Sequence, residues 1–334
     1  MENKDITLSI LIPVFNTEEY LEECIDSLLH QNLKDYEIIM INDGSTDSSK
    51  KIIHSYMEDY PFIRYYEQTN SGQGTARNVG IDHARGKYIY FMDSDDYLVE
   101  YKLNKLLNIV IEENLDGIFF EGEAFLHGNV EMKLQQFDYI RKKEYGCYSS
   151  GELLLSDFSL NNDLIVQPCL YIVKKSVLID HNLYFPDKYK HEDEFFSVTL
   201  FLYLQKVCHV KEVVFRRRVR ENSTMTNVNK TPSFVGYVHV LSHFDEIYTN
   251  FDFLTVEGKK AYRKKMSQLT KAAFTSHSQV TDKSKVEGEL EALKKFAKKY
   301  RYFGPSTYGY VLMTKNETTL EFYRKATNVI KKLR

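Results

Sequence analysis

Stretches typical of β-strands alternate with amphipathic stretches through the first third of this chain, and this alternation most constrains its fold. Residues 8–14 form a nearly continuous apolar run, as expected of a strand that is covered on both faces. Further strands are predicted at 37–41, 62–67, 87–92 and 115–121, with helices between them, including one at 97–113. Such units predict an α/β fold, in which helices cover both faces of a mostly parallel sheet.

The pattern changes near residues 225–235, where the strand signal fades and helical periodicity takes over. A length of 334 residues supports two domains. We therefore predict one domain over residues 1–230, which contains the sheet, and a helical domain over residues 231–334.

Composition narrows the class of protein. Hydrophobic residues at 43% and charged residues at 27% are ordinary for a globular protein. No window approaches 18 consecutive apolar residues, and the first residues lack the layout of a signal peptide. The four cysteines are scattered without a C-x-x-C pair, so we predict free thiols in a reducing cytosol. These cysteines are Cys24, Cys147, Cys169 and Cys208.

The formal net charge of −3 hides an uneven distribution. Residues 283–334 carry 13 Lys/Arg and 5 Asp/Glu, a net charge of +8, which leaves −11 on residues 1–282. The basic tail predicts contact with an anionic surface such as the inner face of a membrane. Its helices more often pack on the rest of the chain or on a second subunit, and its charge also fits a solvated helical face, so these interpretations stay open.

Polar clusters follow three of the predicted strands, where ligands of open parallel sheets bind. These clusters are Pro13-Val14-Phe15-Asn16, Asn42-Asp43-Gly44-Ser45 and Asp93-Ser94-Asp95-Asp96. A G-x-G-x-x-G motif after the first strand and a G-K-[ST] loop are both missing, which argues against dinucleotide and P-loop sites.

Three carboxylates within the four residues 93–96 repel one another unless a cation or hydrogen-bond donors compensate. Hard divalent ions such as Mg²⁺ and Mn²⁺ prefer such oxygen ligands, usually together with substrate phosphates. The alternative is that Asp95 or Asp96 caps the helix predicted at residue 97.

Two further segments carry candidate site residues. Asn70-Ser71-Gly72 leads into a helix that contains Arg77, and helix N-termini attract anions, although an unpaired surface arginine is the commoner outcome. The acidic run His191-Glu192-Asp193-Glu194 begins another helix, where its charge alone would favour the helix dipole.

Taken in order, these motifs resemble the family 2 glycosyltransferases, which have the GT-A nucleotide-sugar-binding fold. The strings that carry the resemblance span about residues 5–225. They are Ser9-Ile10-Leu11-Ile12-Pro13-Val14-Phe15-Asn16, Ile41-Asn42-Asp43-Gly44-Ser45-Thr46-Asp47, Asn70-Ser71-Gly72, Ala76-Arg77-Asn78-Val79-Gly80 and Phe91-Met92-Asp93-Ser94-Asp95-Asp96.

The resemblance implies a role for each matching residue. Residues of the nucleotide-sugar site would be Pro13, Val14, Phe15, Asn16, Asp43, Asn70, Gly72, Arg77, Asp93, Ser94, Arg220 and Ser223. Within this set, Asp43 would bind the base, Asp93 the ribose, and Arg220 with Ser223 the diphosphate. Asp95, with Asp93, would ligate Mn²⁺ or Mg²⁺, and Asp193 would be the catalytic base, with Glu192 as the alternative.

The implied activity is an inverting transfer of a single sugar from a nucleotide-sugar, most often a UDP-sugar, to a hydroxyl of a glycan. A glycan or lipid-linked glycan of bacterial surface polysaccharide, such as a capsule, would be the acceptor of a cytoplasmic or peripheral membrane enzyme. The rivals are a sugar nucleotidyltransferase and an inactive glycan-binding protein. Nucleic acid is not an expected partner because the body of the chain is acidic, whereas a homo-oligomer remains open.

Overall fold

The computed structural model of the chain describes residues 5–128, 139–219 and 230–300. The strands are β1 Leu8–Val14, β2 Tyr36–Asn42, β3 Ile63–Glu67, β4 Tyr88–Phe91, β5 Tyr97–Leu98, β6 Gly117–Leu126, β7 Gly146–Tyr148, β8 Tyr171–Lys174 and β9 Val207–Val219. The α-helices are α1 Leu21–Leu29, α2 Ser49–Asp59, α3 Gln73–His83, α4 Lys102–Glu112, α5 Gly151–Leu160, α6 Lys175–Asp180, α7 Glu192–Tyr203, α8 Thr231–Asn250, α9 Val256–His277 and α10 Glu287–Lys299.

The strands form one sheet in the order β3-β2-β1-β4-β8-β6-β9-β5, and β7 pairs with β9. The α/β class is confirmed: β3, β2, β1 and β4 pair in parallel, as predicted. Beyond β4 the sheet is mixed, because β8 runs antiparallel to both β4 and β6, whereas β9 runs parallel to β6. The strict alternation of strand and helix ends near β6, and parallel pairing depends on such crossovers.

One predicted helix is shorter than expected. The segment 97–113 begins with β5, in which Leu98 pairs with Phe215 of β9, and α4 begins only at Lys102. A cap from Asp95 or Asp96 on a helix at residue 97 is therefore excluded. Pairing with β9 is a long-range interaction that local helical periodicity does not reveal.

The core around the parallel strands places α3 very close to the sheet. All seven residues of β1 are buried, as expected of a strand that is covered on both faces. At Gly80 of α3, an added Cβ would lie 3.1 Å from Leu11 Cδ1 and 3.2 Å from Ile41 Cδ1. A larger residue here would require Leu11 and Ile41 to move by a few tenths of an ångström, so Gly80 allows the close packing of α3 on β1 and β2.

The prediction of four free cysteines is wrong for two of them. Cys147 of β7 and Cys208 of β9 are joined in a disulfide, whereas Cys24 and Cys169 are buried free thiols. The two bonded residues are directly opposite each other in the antiparallel β7–β9 pair, although 61 residues separate them in sequence. Strand register brings them together, and spacing in the sequence carries no sign of it.

The described residues form two compact units. The first contains the sheet and comprises residues 5–128, 139–188, 192–219 and 252–259. The second comprises residues 189–191, 230–251 and 260–300. Within these described ranges no helix combines the length and the apolar character that a membrane crossing requires. The helical pattern predicted over 301–334 lies outside the described residues.

Candidate functional site

Three loops that follow parallel strands meet at one edge of the sheet. The backbone N–H of Asp43, after β2, donates to the carbonyl of Val14, at the end of β1, over 2.8 Å. The hydroxyl of Thr17, after β1, donates to the hydroxyl of Ser94, after β4, over 3.1 Å. These bonds connect all three loops, so the structure brings the predicted polar clusters into one crevice.

The end of β1 contributes an exposed aromatic ring and a rigid turn. Phe15 has 47% of its surface exposed, although it directly follows a buried strand. Asn16 has a φ of +51°, and its side-chain oxygen accepts a hydrogen bond of 2.8 Å from Thr46 N–H. Asparagine tolerates this left-handed conformation better than most residues. The ring of Phe15 is thus available to a ligand at this edge.

Asp43 organises the loop that leads into α3. Its buried carboxylate accepts hydrogen bonds from the Gln68 side chain at 2.7 Å and from the backbone N–H groups of Ser71 at 2.8 Å and Gly72 at 2.9 Å. Asn70 lies in the same loop. Charge-assisted bonds of this kind are strong and fix the orientation of the carboxylate.

The acidic loop after β4 is the segment Asp93–Asp96, and its residues alternate in exposure. Ser94 and Asp96 are buried, whereas Asp93 and Asp95 are half-buried. Asp96 accepts a 2.6 Å hydrogen bond from the backbone N–H of Arg218 in β9. Burial, followed by repulsion from Asp95 and Asp93, raises the pKa of Asp96 well above its ordinary value. Asp96 thus anchors the loop, and Asp93 and Asp95 are the two carboxylates that solvent reaches.

Arg77 of α3 joins two acidic groups of the crevice. Its side chain is only 4% exposed, and it donates to Asp93 over 2.8 Å and to Glu192 over 3.3 Å. Gln73 also donates to Asp93, over 2.7 Å, and the guanidinium lies 5.2 Å from the ring centroid of Phe185. Burial disfavours the charged form, but Asp93 and Glu192 outweigh it and raise the pKa of Arg77. Its Nε has no partner among the described residues.

The acidic start of α7 packs against the start of α3. Glu192, Asp193 and Glu194 form the first turn of α7, and Asp193 accepts a 2.9 Å hydrogen bond from Glu194 N–H. At Gly74 of α3, an added Cβ would lie 2.9 Å from Glu192 Cγ and 3.3 Å from the carbonyl of Pro186. The acidic turn therefore does more than complement the dipole of α7, because it lies against the helix that carries Arg77.

Asn78 connects α3 to the segment that leads into α7. Its side-chain oxygen accepts from Phe185 N–H and its amide donates to Phe185 O, both over 2.9 Å. Asp187 in the same segment accepts from the Thr75 hydroxyl over 3.2 Å. One face of α3 thus holds the acidic loop after β4 and the approach to α7 together.

Sequence reasoning missed several residues that arrange this site. Gln68, Gln73 and Asn78 each bond to a predicted site residue or to the segment before α7, and Arg218 contacts the acidic loop. Gln68 had no sequence signal, whereas Gln73 follows directly on Asn70-Ser71-Gly72, Asn78 belongs to the Ala76-Arg77-Asn78-Val79-Gly80 string, and Arg218 lies in a basic run. Arg220 and Ser223, predicted for the diphosphate, lie outside the described residues.

The chain is similar to known proteins in sequence and in fold. The family described as "Glycosyl transferase family 2" matches residues 9–172. An uncharacterized glycosyltransferase of Rickettsia typhi is 31% identical over 259 residues, which cover 75% of this chain and 75% of that protein. The poly(ribitol-phosphate) beta-glucosyltransferase of Bacillus spizizenii is 42% identical over 113 residues, which cover 33% of this chain and 18% of that protein.

Solved structures show the fold. The crystal structure of S. aureus TarS 1–349 in complex with UDP superposes with a TM-score of 0.71 at 18% identity, covering 96% of this chain and 92% of that one. The predicted GT-A fold, with helices after the sheet, is thereby confirmed. The sequence alignments with three other curated relatives each cover about a third of the relative's own length, namely 32%, 31% and 34%.

Proposed function

Because the chain belongs to glycosyl transferase family 2, we propose that it transfers one sugar from a nucleotide-sugar, with inversion, to a hydroxyl of a glycan acceptor. The observation that carries the proposal is the pairing of Arg77 with both Asp93 and Glu192. Arg77 holds the acidic loop beside the carboxylates of Glu192 and Asp193. The acidic loop suits a donor diphosphate and its cation, and the two carboxylates at the start of α7 suit an acceptor hydroxyl.

The donor side of the crevice suits a nucleotide. Asp43 is held by three hydrogen bonds, and Phe15 offers an exposed ring beside it at the end of β1. An oriented carboxylate pairs with the ring N–H of a base such as uracil, and an aromatic ring stacks on the base. The similarity to the UDP-bound TarS structure makes a UDP-sugar our first choice of donor.

The acidic loop fits a divalent cation that the donor helps to hold. Among the described residues no group of three His, Cys, Asp or Glu side chains is arranged as a complete metal site. Asp93 and Asp95 remain half-buried, and Mn²⁺ or Mg²⁺ is commonly held by one or two carboxylates plus substrate phosphates. We propose Asp95, with Asp93, as those ligands; when bound, the ion would stabilise negative charge on the leaving diphosphate.

The start of α7 contains the groups that we propose to act on the acceptor. Glu192 has only 14% of its side chain exposed and pairs with Arg77, so its charge is already committed. We propose Asp193, the next residue in the first turn of α7 and the position to which the family resemblance assigns the base, as the general base. Its carboxylate would take the proton of the acceptor hydroxyl while that oxygen bonds to the anomeric carbon and the bond from this carbon to the diphosphate oxygen breaks. The nucleoside diphosphate leaves from the opposite face, which inverts the configuration.

We also propose a class of acceptor for this transfer. The similarity to a poly(ribitol-phosphate) glucosyltransferase favours an acceptor that belongs to a bacterial surface polysaccharide. Acceptor contacts, a subunit interface or a peripheral membrane contact through residues 231–334 stay predictions, as do a cytoplasmic location and diphosphate binding by Arg220 and Ser223.

The test is release of nucleoside diphosphate across a panel of UDP-sugars and GDP-sugars, with Mn²⁺ or Mg²⁺ and a glycan acceptor mixture. Asp95→Asn and Asp193→Asn should each reduce turnover at least about 100-fold, because each removes a charge that the reaction needs. Glu192→Gln should leave measurable turnover. Asp59→Asn, which changes an exposed carboxylate at the end of α2, is the control and should match the unchanged protein.

Two results would contradict the proposal. Full turnover in Asp193→Asn would reject this residue as the base. Failure of the folded protein to bind any nucleoside diphosphate in calorimetry with a divalent ion present would reject the transferase itself.

A further inference from the structure

We propose that Arg218, on β9, is a positioning residue that holds the acidic loop Asp93–Asp96 in the conformation that receives the cation. This inference rests on the proposed function, since it concerns the two carboxylates assigned there to the ion. Arg77 precedes the acidic loop in the sequence, whereas Arg218 follows it by more than a hundred residues. Nothing in its sequence neighbourhood distinguishes it from Arg216 or Arg217.

Arg218 contacts the acidic loop at two consecutive residues. Its Nε donates to the carbonyl oxygen of Asp95 over 2.8 Å, and its backbone N–H donates to the Asp96 carboxylate over 2.6 Å. The first bond fixes the peptide that follows Asp95, and the second holds the buried anchor of the loop. Arg218 thus contacts the loop through the backbone oxygen of Asp95 and the carboxylate of Asp96.

The guanidinium of Arg218 is itself fixed on every side. Nη2 donates to Glu23 of α1, and Nη1 donates to Nδ1 of His127 over 2.9 Å. The rings of Tyr20 and Phe125 each have their centroid 4.8 Å from the guanidinium carbon. The side chain is 3% exposed. A group held at all three of its nitrogens and between two rings transmits its position to the Asp95 peptide, since it has little freedom to move.

Only an arginine can make this set of contacts. The planar guanidinium donates to Asp95 O, His127 and Glu23 in three different directions. The compact ammonium of a lysine cannot reach all three of these partners at once. The partners of the guanidinium lie in the acidic loop, in α1 and at the end of β6, so Arg218 ties the loop to α1 and to β6. Residues that orient metal ligands in this indirect way commonly change metal affinity by about 10-fold to 100-fold when they are replaced.

The experiment compares Mn²⁺ binding by the unchanged protein, Arg218→Met and Arg218→Lys, each saturated with UDP. Free Mn²⁺ is measured by electron paramagnetic resonance, which does not depend on turnover. We expect Arg218→Met to weaken Mn²⁺ binding by about 10-fold or more. UDP binding without metal should change less than about 3-fold, because base contacts near Asp43 are untouched. Arg218→Lys should recover only part of the loss.

Arg64→Met is the matched control. Arg64 is also an ion-paired arginine on a strand, 2.7 Å from Glu37 and 5.4 Å from the ring centroid of Tyr66. It belongs to β3 and pairs with the first half of β2, away from the edge where the strands end. Its replacement should leave Mn²⁺ binding unchanged. Thermal unfolding of every variant establishes that each one is folded.

The outcomes separate this inference from the proposed function. Mn²⁺ binding by Arg218→Met equal to that of the unchanged protein overturns the role of Arg218 and leaves the transferase proposal standing. Equal losses in Arg218→Met and Arg64→Met, or complete recovery in Arg218→Lys, also overturn it. Failure of the unchanged protein to bind Mn²⁺ with UDP overturns the cation site, and this inference with it.

Discussion

The guanidinium of Arg77 lies 3.3 Å from the carboxylate of Glu192, although 115 residues separate the two in sequence. The same guanidinium bonds to Asp93 at 2.8 Å. One buried cation thus holds the acidic loop after β4 and the first turn of α7 at a common point. The three residues belong to elements that contribute different parts of the proposed chemistry, so this link sets the spacing between donor and acceptor groups.

Replacing Arg77 with methionine should destabilise the protein and abolish turnover. The change leaves Asp93 and Glu192 without their shared cation, and removing one partner of a buried pair commonly costs about 3–5 kcal/mol. Adding Glu192→Gln to Arg77→Met should recover part of this loss, since it removes one of the stranded charges. Chemical denaturation measures the free energy of unfolding. Additive losses in the double variant would contradict the coupling.

An alanine at Gly74 should lower turnover more than stability. Its Cβ would lie 2.9 Å from Glu192 Cγ, so the Glu192 side chain must shift, and we expect this shift to weaken its bond to Arg77. Gly288→Ala in α10 is the control, because nothing lies within 4 Å of its added Cβ. Gly288 is the second residue of α10, as Gly74 is of α3, so this change should alter the free energy of unfolding by less than about 1 kcal/mol. Unchanged kinetics in Gly74→Ala would show that Glu192 tolerates displacement.

Asn78→Ala should lower both stability and turnover. It leaves the backbone N–H and carbonyl of Phe185 without their side-chain partner, and such losses cost about 1–3 kcal/mol where the groups are buried. Tyr184→Phe is the matched control on the same segment, since it removes an exposed hydrogen bond from Tyr184 to Asp82. Thermal unfolding and nucleoside diphosphate release measure the two effects. Equal effects of both variants would assign Asn78 no special part in placing α7.

His191 should make stability depend on pH. Burial, and then Lys190 and Lys265, lower the pKa of His191 to about 4, and its ring stacks on Tyr237 at 3.7 Å. Because the unfolded chain binds this proton near pH 6.5, stability is full above that pH. As the pH falls from 6.5 to 5, the unfolded chain takes up this proton and the folded protein does not. The free energy of unfolding should therefore fall by about 2 kcal/mol.

His191→Phe keeps a ring for Tyr237 to stack on but cannot take up a proton. Its free energy of unfolding should therefore fall less than that of the unchanged protein between pH 7 and pH 5, by the same ~2 kcal/mol. Denaturant unfolding at both pH values measures the difference. Identical pH dependence in the two proteins would show that His191 ionises freely in the folded state.

Because Cys147 and Cys208 form a disulfide, only two of the four cysteines should react with an alkylating agent until the protein is reduced. Unfolded but unreduced protein should be alkylated only at Cys24 and Cys169, whereas reduction should add Cys147 and Cys208. Cys147→Ser should lower the free energy of unfolding by about 2–4 kcal/mol, because the cross-link restricts the unfolded chain. A reductant should then have no further effect on that variant. Mass spectrometry that finds four alkylated cysteines without reductant would contradict the disulfide.

The parallel half of the sheet could be predicted because its information is local. A strand that is buried on both faces, such as β1, must be apolar almost throughout. In the helices between such strands, apolar residues recur every three to four positions. The polar clusters after β1, β2 and β4 follow from the same pattern, because parallel strands end at one edge. Their order along the chain also carried the family resemblance, which the comparisons confirm.

The antiparallel half could not be predicted in this way. β5 was predicted as part of a helix, and only its pairing with Phe215 and Arg216 of β9 makes it a strand. Cys147 and Cys208 were predicted to be free thiols, and only the register of β7 on β9 places them together. In each case the partner comes from a distant segment, and its register is set by packing.

The sequence by itself determined the α/β class and the three strand ends that carry polar residues, since both depend on residues close together in the chain. It also determined the family, which depends on the order of short motifs along the chain. Tertiary structure alone decided how the charges are shared: Asp96 is buried as an anchor of the acidic loop, while Asp93 and Asp95 stay accessible. It also decided that Arg77 pairs with Glu192 and that Arg218 bonds to the Asp95 peptide. Burial and ion pairing are properties of the folded surroundings, and the same aspartates and arginines have neither in an extended chain.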